Sequence, residues 1–293
     1  APARLDREAV AALGPVPTGR AARIMTTLEP ALVEDPVRLR RLLASGADLV
    51  RINCAKDGPA AWRGMVQAVR AAARAGGREV RVLMDLAGPK IRTARVHLGA
   101  RPRLIAGDRL LLRRDASVPA PADGAASCAC TLEGALDNVA VGAPVAIDDG
   151  KIWAEVEAVT AAGRWLRIRR TKPGGAKLEP DRGINFPGTA LDIAPLTPAD
   201  RAALPVVAEL ADVVGYSFVQ RAADIDVLLD AIPPRPAPVP PLALLAKIET
   251  ELAFRNLPEI VVAAAGRVPF GVMIARGDLG VEVGFSRLSE VQE

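Results

Sequence analysis

The chain has 293 residues, of which half are hydrophobic and a quarter are charged, with a net charge of +4. That length can bury a large core, so we expect one large domain, alone or with a small one. The positive charges are spread without a basic block, which argues against nucleic-acid binding, and no apolar run reaches the about 20 residues of a membrane span. Three cysteines, an odd and low number, are typical of a reducing cytoplasm.

The first part of the chain alternates strand-like and helix-like segments. Strands are predicted at residues 23–26, 48–53 and 80–85, and helices at residues 35–44 and 59–74. This alternation is typical of a parallel sheet covered by helices.

The alternation stops between residues 95 and 186, where short apolar runs are separated by Gly, Pro and Asp. Residues 148–153, Asp-Asp-Gly-Lys-Ile-Trp, predict a tight turn between two strands. We interpret residues 95–186 as an inserted, β-rich lid domain.

The strand–helix alternation returns after residue 187. Thr197 and Pro198 predict the start of a helix. Further strands are predicted at residues 212–218, 242–249 and 269–275, and the proline-rich residues 233–241 predict an exposed connection.

The sequence therefore predicts an α/β fold with six strands of a (β/α)8 TIM-type barrel, in which eight strands would close the barrel. Its two barrel parts would be residues 1–94 and 187–293, around the lid at residues 95–186. The chain does not begin with Met, and residues 289–293 are helix-like without a cap. We expect a part of a longer protein that, isolated, self-associates through open sheet edges and is inactive.

Polar residues collect at the carboxyl ends of the predicted strands, where the active site of such a barrel lies. They are Arg51, Asn53, Asp85, Lys247, Glu249 and Asp278. Alternate residues of a strand share a face, so Arg51 should lie beside Asn53, and Lys247 beside Glu249. Buried charges need a partner or a ligand. The alternative is a structural layer of ion pairs inside the barrel.

These residue types suit phosphoryl transfer. The carboxylates of Glu249 and Asp278 suit Mg²⁺ or Mn²⁺, with substrate oxygens and water as further ligands. Arg51 and Arg92 offer planar guanidinium groups for phosphate. Lys247 offers a point charge against the group in transfer, and phosphoryl transfer requires such positioning and charge stabilisation.

Five segments of the chain resemble the pyruvate kinase family. They are Arg51-Ile52-Asn53, Met84 to Thr93, Gly183 to Gly188, Lys247-Ile248-Glu249 and Met273 to Glu282. They follow one another in the family's order between residues 22 and 292, and the run from Arg276 to Glu282, Arg-Gly-Asp-Leu-Gly-Val-Glu, is the most specific of them.

The resemblance implies a glycolytic phosphotransferase that moves the phosphoryl group of phosphoenolpyruvate to ADP, giving pyruvate and ATP. It also implies Mg²⁺ or Mn²⁺ as cofactor, a cytoplasmic location and a homo-oligomer at full length. A metal-dependent lyase or aldolase of the pyruvate-enolate type and a non-catalytic relative stay open. The inserted lid counts against the lyase.

The resemblance also implies a role for individual residues. Lys247 would assist transfer, Arg51 and Arg92 would contact phosphate, and Glu249 and Asp278 would hold the divalent metal. The remaining implied residues are Ser217, Gly277 and Asp278 near the substrate, with Asn53 and Asp85 at a monovalent-cation site. Lys56 is either a contact to an ADP phosphate or a solvated lysine.

Several residues depart from the family's pattern. The second strand continues into Cys54-Ala55-Lys56 instead of Phe-Ser-His, the third into Leu86-Ala87 instead of Thr-Lys, and Glu29 stands where the first-strand motif has Gly. Two oxygen ligands of the monovalent-cation site are thereby lost. Lys90 stands where K⁺-dependent members have Glu, so we expect its ammonium to replace K⁺. The alternative is a solvated Lys90 beside a degraded site.

Overall fold

The computed structural model describes residues 2–99, 101–237 and 239–293, with side chains from Asp6 onward. The chain divides into two compact units. The parallel-sheet unit comprises Ala1–Gly88, Pro195–Ile248 and Asn256–Met273. The β-rich unit comprises Pro89–Ala194, Glu249–Arg255 and Ile274–Glu293.

The described residues form strands in both units. In chain order the strands are β1 (Met25–Thr27), β2 (Leu49–Asn53), β3 (Arg81–Asp85), β4 (Thr93–His97), β5 (Arg109–Arg113), β6 (Ser127–Cys130), β7 (Pro144–Ile147), β8 (Ile152–Thr160), β9 (Gly163–Thr171), β10 (Ile184–Asn185), β11 (Val213–Tyr216), β12 (Ala243–Ile248) and β13 (Phe270–Ile274).

Helices connect most of the parallel strands. In chain order, the helices of the described residues are α1 (Pro2–Leu13), α2 (Pro30–Val33), α3 (Pro36–Ala44), α4 (Pro59–Ala75), α5 (Pro198–Leu210), α6 (Ala222–Ala231), α7 (Glu251–Arg255), α8 (Leu257–Ala264), α9 (Arg276–Val283) and α10 (Leu288–Gln292), with a 3₁₀ turn at Phe285–Arg287. No helix in the described ranges is long and apolar enough to cross a membrane.

The parallel-sheet unit is built on six strands in the order β1-β2-β3-β11-β12-β13. The register places Asn53 of β2 opposite Asp85 of β3, and Asp85 opposite Gly215 of β11. Apolar side chains fill the strand interiors, and Leu83 and Val213 are completely buried. The polar ends of these strands therefore meet at the carboxyl edge of the sheet, as expected for a parallel sheet.

The β-rich unit contains a seven-stranded sheet in the order β10-β7-β8-β9-β5-β6-β4. Its pairs are antiparallel except β5 with β6. Residues 148–151 join β7 to β8 through left-handed backbone at Asp148, Asp149 and Gly150, with φ of 56°, 52° and 80°. The predicted tight turn is confirmed, and Asp149 lies exposed within it.

The structure confirms the predicted fold class. Six parallel strands alternate with helices, and an all-β sheet is inserted after the third of them. The predicted first strand lay two residues too early, because β1 begins at Met25, and α1 was not predicted. Residues 233–237 and 239–241 form no helix or strand, while Pro238 lies outside the described residues. The predicted domain limits stay predictions.

Candidate active site

One buried carboxylate holds two cationic side chains at the carboxyl edge of the parallel sheet. Asp85 ends β3 and is 1% exposed. Arg51 of β2 donates through Nε to Asp85 Oδ2 at 2.7 Å, and its Nη2 lies 2.6 Å from the same oxygen. The Nζ of Lys247, from β12, lies 3.3 Å from Asp85 Oδ1. The structure thus brings together three of the predicted residues as an ion-paired group.

Asp85 reaches Lys247 across the intervening strand β11 because that strand carries a glycine. A Cβ atom on Gly215 would lie 2.8 Å from Asp85 Oδ1, closer than Cβ contacts occur in proteins. The missing side chain leaves room for the carboxylate to turn toward β12. Sequence reasoning did not identify Gly215 as part of the site.

Ser217 completes the surroundings of Lys247. Lys247 Nζ donates to Ser217 Oγ at 2.7 Å, and Ser217 Oγ donates to the carbonyl oxygen of Leu86 at 2.7 Å. Both residues are buried, with 1% of Ser217 and 7% of Lys247 exposed as whole residues. A buried ammonium is costly unless it is paired, and here a carboxylate and a hydroxyl fix its position.

The turn after β3 is fixed by Asp200, which sequence reasoning missed. Its carboxylate is buried and accepts from Ala87 N at 2.9 Å and Gly88 N at 3.2 Å. It also accepts from the hydroxyl of Thr197 at 2.6 Å, within a capping box at the start of α5. The Thr-x-x-Asp spacing marks such a box in the sequence, but not the bonds to a turn more than 100 residues away.

Asn53 ends β2, and Lys56 lies in the turn that follows it. Asn53 Oδ1 accepts from Ala55 N at 3.1 Å, so the predicted cation ligand is engaged in an Asx turn. Lys56 is exposed in the same turn. Burial and the nearby Asp85 carboxylate raise the pKa of the Cys54 thiol to about 12, which favours the protonated thiol near neutral pH.

In the β-rich unit the predicted metal ligand Asp278 is paired with Lys90. Asp278 lies in the first turn of α9, next to the exposed Gly277. Lys90 Nζ donates to Asp278 Oδ1 at 2.9 Å and to Oδ2 at 3.2 Å. Glu249 follows β12 and is 3% exposed.

The guanidinium of Arg92 is engaged with Asp181. It donates to the carbonyl oxygen of Asp181 at 3.0 Å and lies 3.4 Å from the carboxylate. The Asp181 carboxylate is largely exposed, so this pair is weak and can be exchanged for another anion.

Glu282, one turn after Asp278 on α9, is a half-buried acid to which the sequence assigned no role. Asn185 Nδ2 donates to its Oε1 at 3.4 Å. Burial is the main cause that raises the pKa of the Glu282 carboxyl to about 7; the nearby carboxylates of Asp278 and Glu251 contribute to the rise, and the hydrogen bond from Asn185 opposes it. Glu282 belongs to the most specific motif, but its burial depends on tertiary packing.

The chemistry of the predicted metal ligands fits a hard divalent cation, since both Glu249 and Asp278 offer carboxylate oxygens. The ammonium of Lys90 stands in for a cation at Asp278. The described residues contain no group of three or more His, Cys, Asp or Glu arranged to hold a metal. A site with two carboxylates would need its further oxygen ligands from the substrate and water.

Comparison with known proteins gives one consistent result. The family model described as "Pyruvate kinase, barrel domain" matches residues 19–293. A pyruvate kinase from Geobacillus stearothermophilus is 32% identical over 276 residues, covering 94% of this chain and 44% of the relative. One from Agrobacterium vitis is 32% identical, covering 91% and 52%, and one from Aeropyrum pernix is 30% identical, covering 92% and 54%. The chain spans about half the length of these relatives.

Substitution of Gly88 tests whether Ser217 leaves no room for a side chain in the turn after β3. Gly88 has a φ of +64°, and a Cβ there would lie 2.7 Å from the Cβ of Ser217. Gly88→Ala should lower the free energy of unfolding by about 2–4 kcal/mol, as backbone strain and overpacking add. Gly77 has a φ of +60° with open space around it, so Gly77→Ala should cost only about 1 kcal/mol. Equal losses in urea denaturation would show that Ser217 does not restrict this turn.

Glu282 should make stability depend on pH. Its folded-state pKa is raised from 4.5 to about 7, so the folded state binds the proton more tightly. The stability that this tighter proton binding gives the folded state is fully present below pH 4.5 and is lost as the pH rises through about 7. Glu282→Gln should raise the free energy of unfolding at pH 8 by about 1–2 kcal/mol, which corresponds to a melting temperature roughly 2–6 °C higher. The melting temperature of this variant should also fall less between pH 5 and pH 8 than that of the wild type.

Thermal melts of the wild type, Glu282→Gln and the control Glu133→Gln test this dependence. Glu133 is an exposed acid of the same unit, and its substitution should leave the pH dependence unchanged. An unchanged pH profile in Glu282→Gln would contradict the raised pKa.

Proposed function

Because the chain belongs to the pyruvate kinase family, we propose that the intact protein transfers the phosphoryl group of phosphoenolpyruvate to ADP in glycolysis. The products would be pyruvate and ATP. The observation that carries this proposal is the buried Lys247, held by Asp85 and Ser217 at the carboxyl edge of the parallel sheet. Three cysteines without a disulfide support a cytoplasmic location, and we expect the intact protein to be a homo-oligomer.

Lys247 would stabilise the charge on the phosphoryl group in transfer. Asp85 and Ser217 already hold its ammonium, so its position costs little reorganisation during the reaction. The ammonium is a compact charge on a flexible stem and suits a moving group. Lys247 would thus act by electrostatic stabilisation, without a covalent intermediate.

Arg51 and Arg92 would bind the phosphate oxygens. Arg51 is anchored on Asp85 through one edge of its guanidinium, which orients the planar group. Arg92 would exchange the exposed Asp181 for a phosphate. We also propose Ser217 and Gly277 near the substrate and Lys56 near an ADP phosphate.

Glu249 and Asp278 are the residues that would hold Mg²⁺ or Mn²⁺. When bound, such an ion neutralises the negative charge that develops on substrate oxygens. Glu249 is buried, which would limit competition from water, whereas Asp278 must first leave its ion pair with Lys90. Both residues lie in the β-rich unit.

A coupled assay of the intact protein with phosphoenolpyruvate, ADP and Mg²⁺ tests the proposal. We expect pyruvate and ATP to form in equal amounts. The 293-residue chain alone should be inactive, since its parallel sheet has six strands where eight close a barrel. Absence of ATP from the intact protein would contradict the proposal and would favour a non-catalytic relative or a lyase.

Lys247→Met tests the role of the buried ammonium. If Lys247 stabilises the transition state, kcat should fall by roughly 10²–10⁴-fold while phosphoenolpyruvate affinity changes less. Lys177→Met removes an exposed lysine and should leave both unchanged. Steady-state kinetics of the three proteins provide the test, and a change confined to KM would show that Lys247 only binds substrate.

Potassium dependence tests the role of Lys90 as an internal cation. Leu86 and Ala55 replace two oxygen-bearing residues of the family's K⁺ site, and Asn53 Oδ1 is engaged in a turn. We propose that the intact enzyme needs no K⁺. Its rate in tetramethylammonium buffer should therefore change little when KCl is added. Activation by about tenfold or more would contradict this, and acquired K⁺ dependence in Lys90→Glu would support it.

A further inference from the structure

The carboxylate of Asp278 is covered by an ammonium on both of its oxygens. Lys90 Nζ lies 2.9 Å from Oδ1 and 3.2 Å from Oδ2. The side chains are 27% and 17% exposed, so water screens the pair only in part. Among the described residues, Lys90 is the cation that pairs with Asp278.

The main chain around Lys90 places its side chain at this position. The following residue, Ile91, accepts from Ile184 N at 2.9 Å, and Arg92 is bridged to Gly183. The Cε of Lys90 lies 3.1 Å from the point where a Cβ on Gly183 would be. The aliphatic part of the Lys90 side chain therefore packs over Gly183. Because the residues after Lys90 are hydrogen-bonded to the segment that contains Gly183, the ion pair is not carried by a free loop.

A divalent cation bound to a carboxylate oxygen lies at about 2.0–2.6 Å from it. An ammonium at hydrogen-bond distance from both oxygens occupies the same space and repels a second cation. In the observed arrangement the Lys90 ammonium lies where a metal chelated by both oxygens of Asp278 would lie, and it opposes a second cation on either oxygen.

We propose that Lys90 is a built-in competitor for the divalent-cation site, so that a metal binds to Asp278 only by displacing the lysine ammonium. This inference rests on the proposed function, because that function makes Asp278 a metal ligand. It differs from the replacement of K⁺, since it concerns the affinity of the divalent ion. Lys90 keeps the carboxylate neutralised while no metal is bound, and lowers the affinity for the free ion.

Mn²⁺ titration of the intact protein without substrates, followed by electron paramagnetic resonance of the free ion, measures this competition. Lys90→Met and Lys90→Gln should each tighten the Mn²⁺ dissociation constant by about tenfold, as expected for the loss of one close opposing charge. Lys90→Arg keeps the charge and should bind Mn²⁺ about as weakly as the wild type. Circular dichroism of each variant verifies that it is folded.

Arg276→Met is the matched control for long-range electrostatics. Arg276 is exposed, lies two residues from Asp278 and makes no ion pair with the described residues. Its loss removes a nearby positive charge without opening the carboxylate, so Mn²⁺ affinity should change by less than about twofold. An equal gain in Arg276→Met and Lys90→Met would overturn direct competition.

Glu249→Gln separates failure of this inference from failure of the metal assignment. If Glu249→Gln abolishes Mn²⁺ binding while both neutral Lys90 variants bind like the wild type, only the competition is wrong. If Glu249→Gln binds Mn²⁺ like the wild type, or the wild type binds none, the metal assignment fails and the inference falls with it. Tighter binding in Lys90→Met and Lys90→Gln, but not in Lys90→Arg or Arg276→Met, supports it.

Discussion

The buried carboxylate of Asp85 determines the arrangement of the parallel-sheet unit's candidate site. It holds the guanidinium of Arg51 on one oxygen and the ammonium of Lys247 near the other. Without that negative charge, two cations would remain in a poorly solvated edge of the sheet, which is strongly unfavourable. Gly215 has no side chain to block this contact, and Asp200 fixes the turn that follows it. The site is therefore one interdependent group rather than a set of separate residues.

Each unit contains a carboxylate–ammonium pair, but the two pairs differ in burial. The side chains of Asp85 and Lys247 are 1% and 9% exposed, whereas those of Asp278 and Lys90 are 17% and 27% exposed. A buried pair keeps its geometry because breaking it leaves an uncompensated charge. A half-buried pair can exchange its partner at lower cost. We infer that the first pair positions a charge permanently, and that the second yields its carboxylate to a cation.

Much of this arrangement follows from local sequence patterns. Strand periodicity predicted that Arg51, Asp85 and Lys247 lie at the carboxyl ends of parallel strands, and Thr197 marked the start of a helix correctly. The partners of these charges could not be predicted, because they depend on register and on contacts between distant segments. Lys90 and Asp278 are 188 residues apart, and Asp200 reaches a turn 113 residues away. The burial of Glu282 likewise depends on packing around α9, which no local pattern specifies.

A double-mutant cycle on Asp85 and Lys247 tests most directly whether these residues act as one unit in phosphoryl transfer. It requires kcat for the intact protein, Asp85→Asn, Lys247→Met and the double variant, with phosphoenolpyruvate and ADP. Because Asp85 acts by holding Lys247, removing both should cost little more than removing either one. Losses that multiply in the double variant would show two independent contributions and would contradict this account of the site.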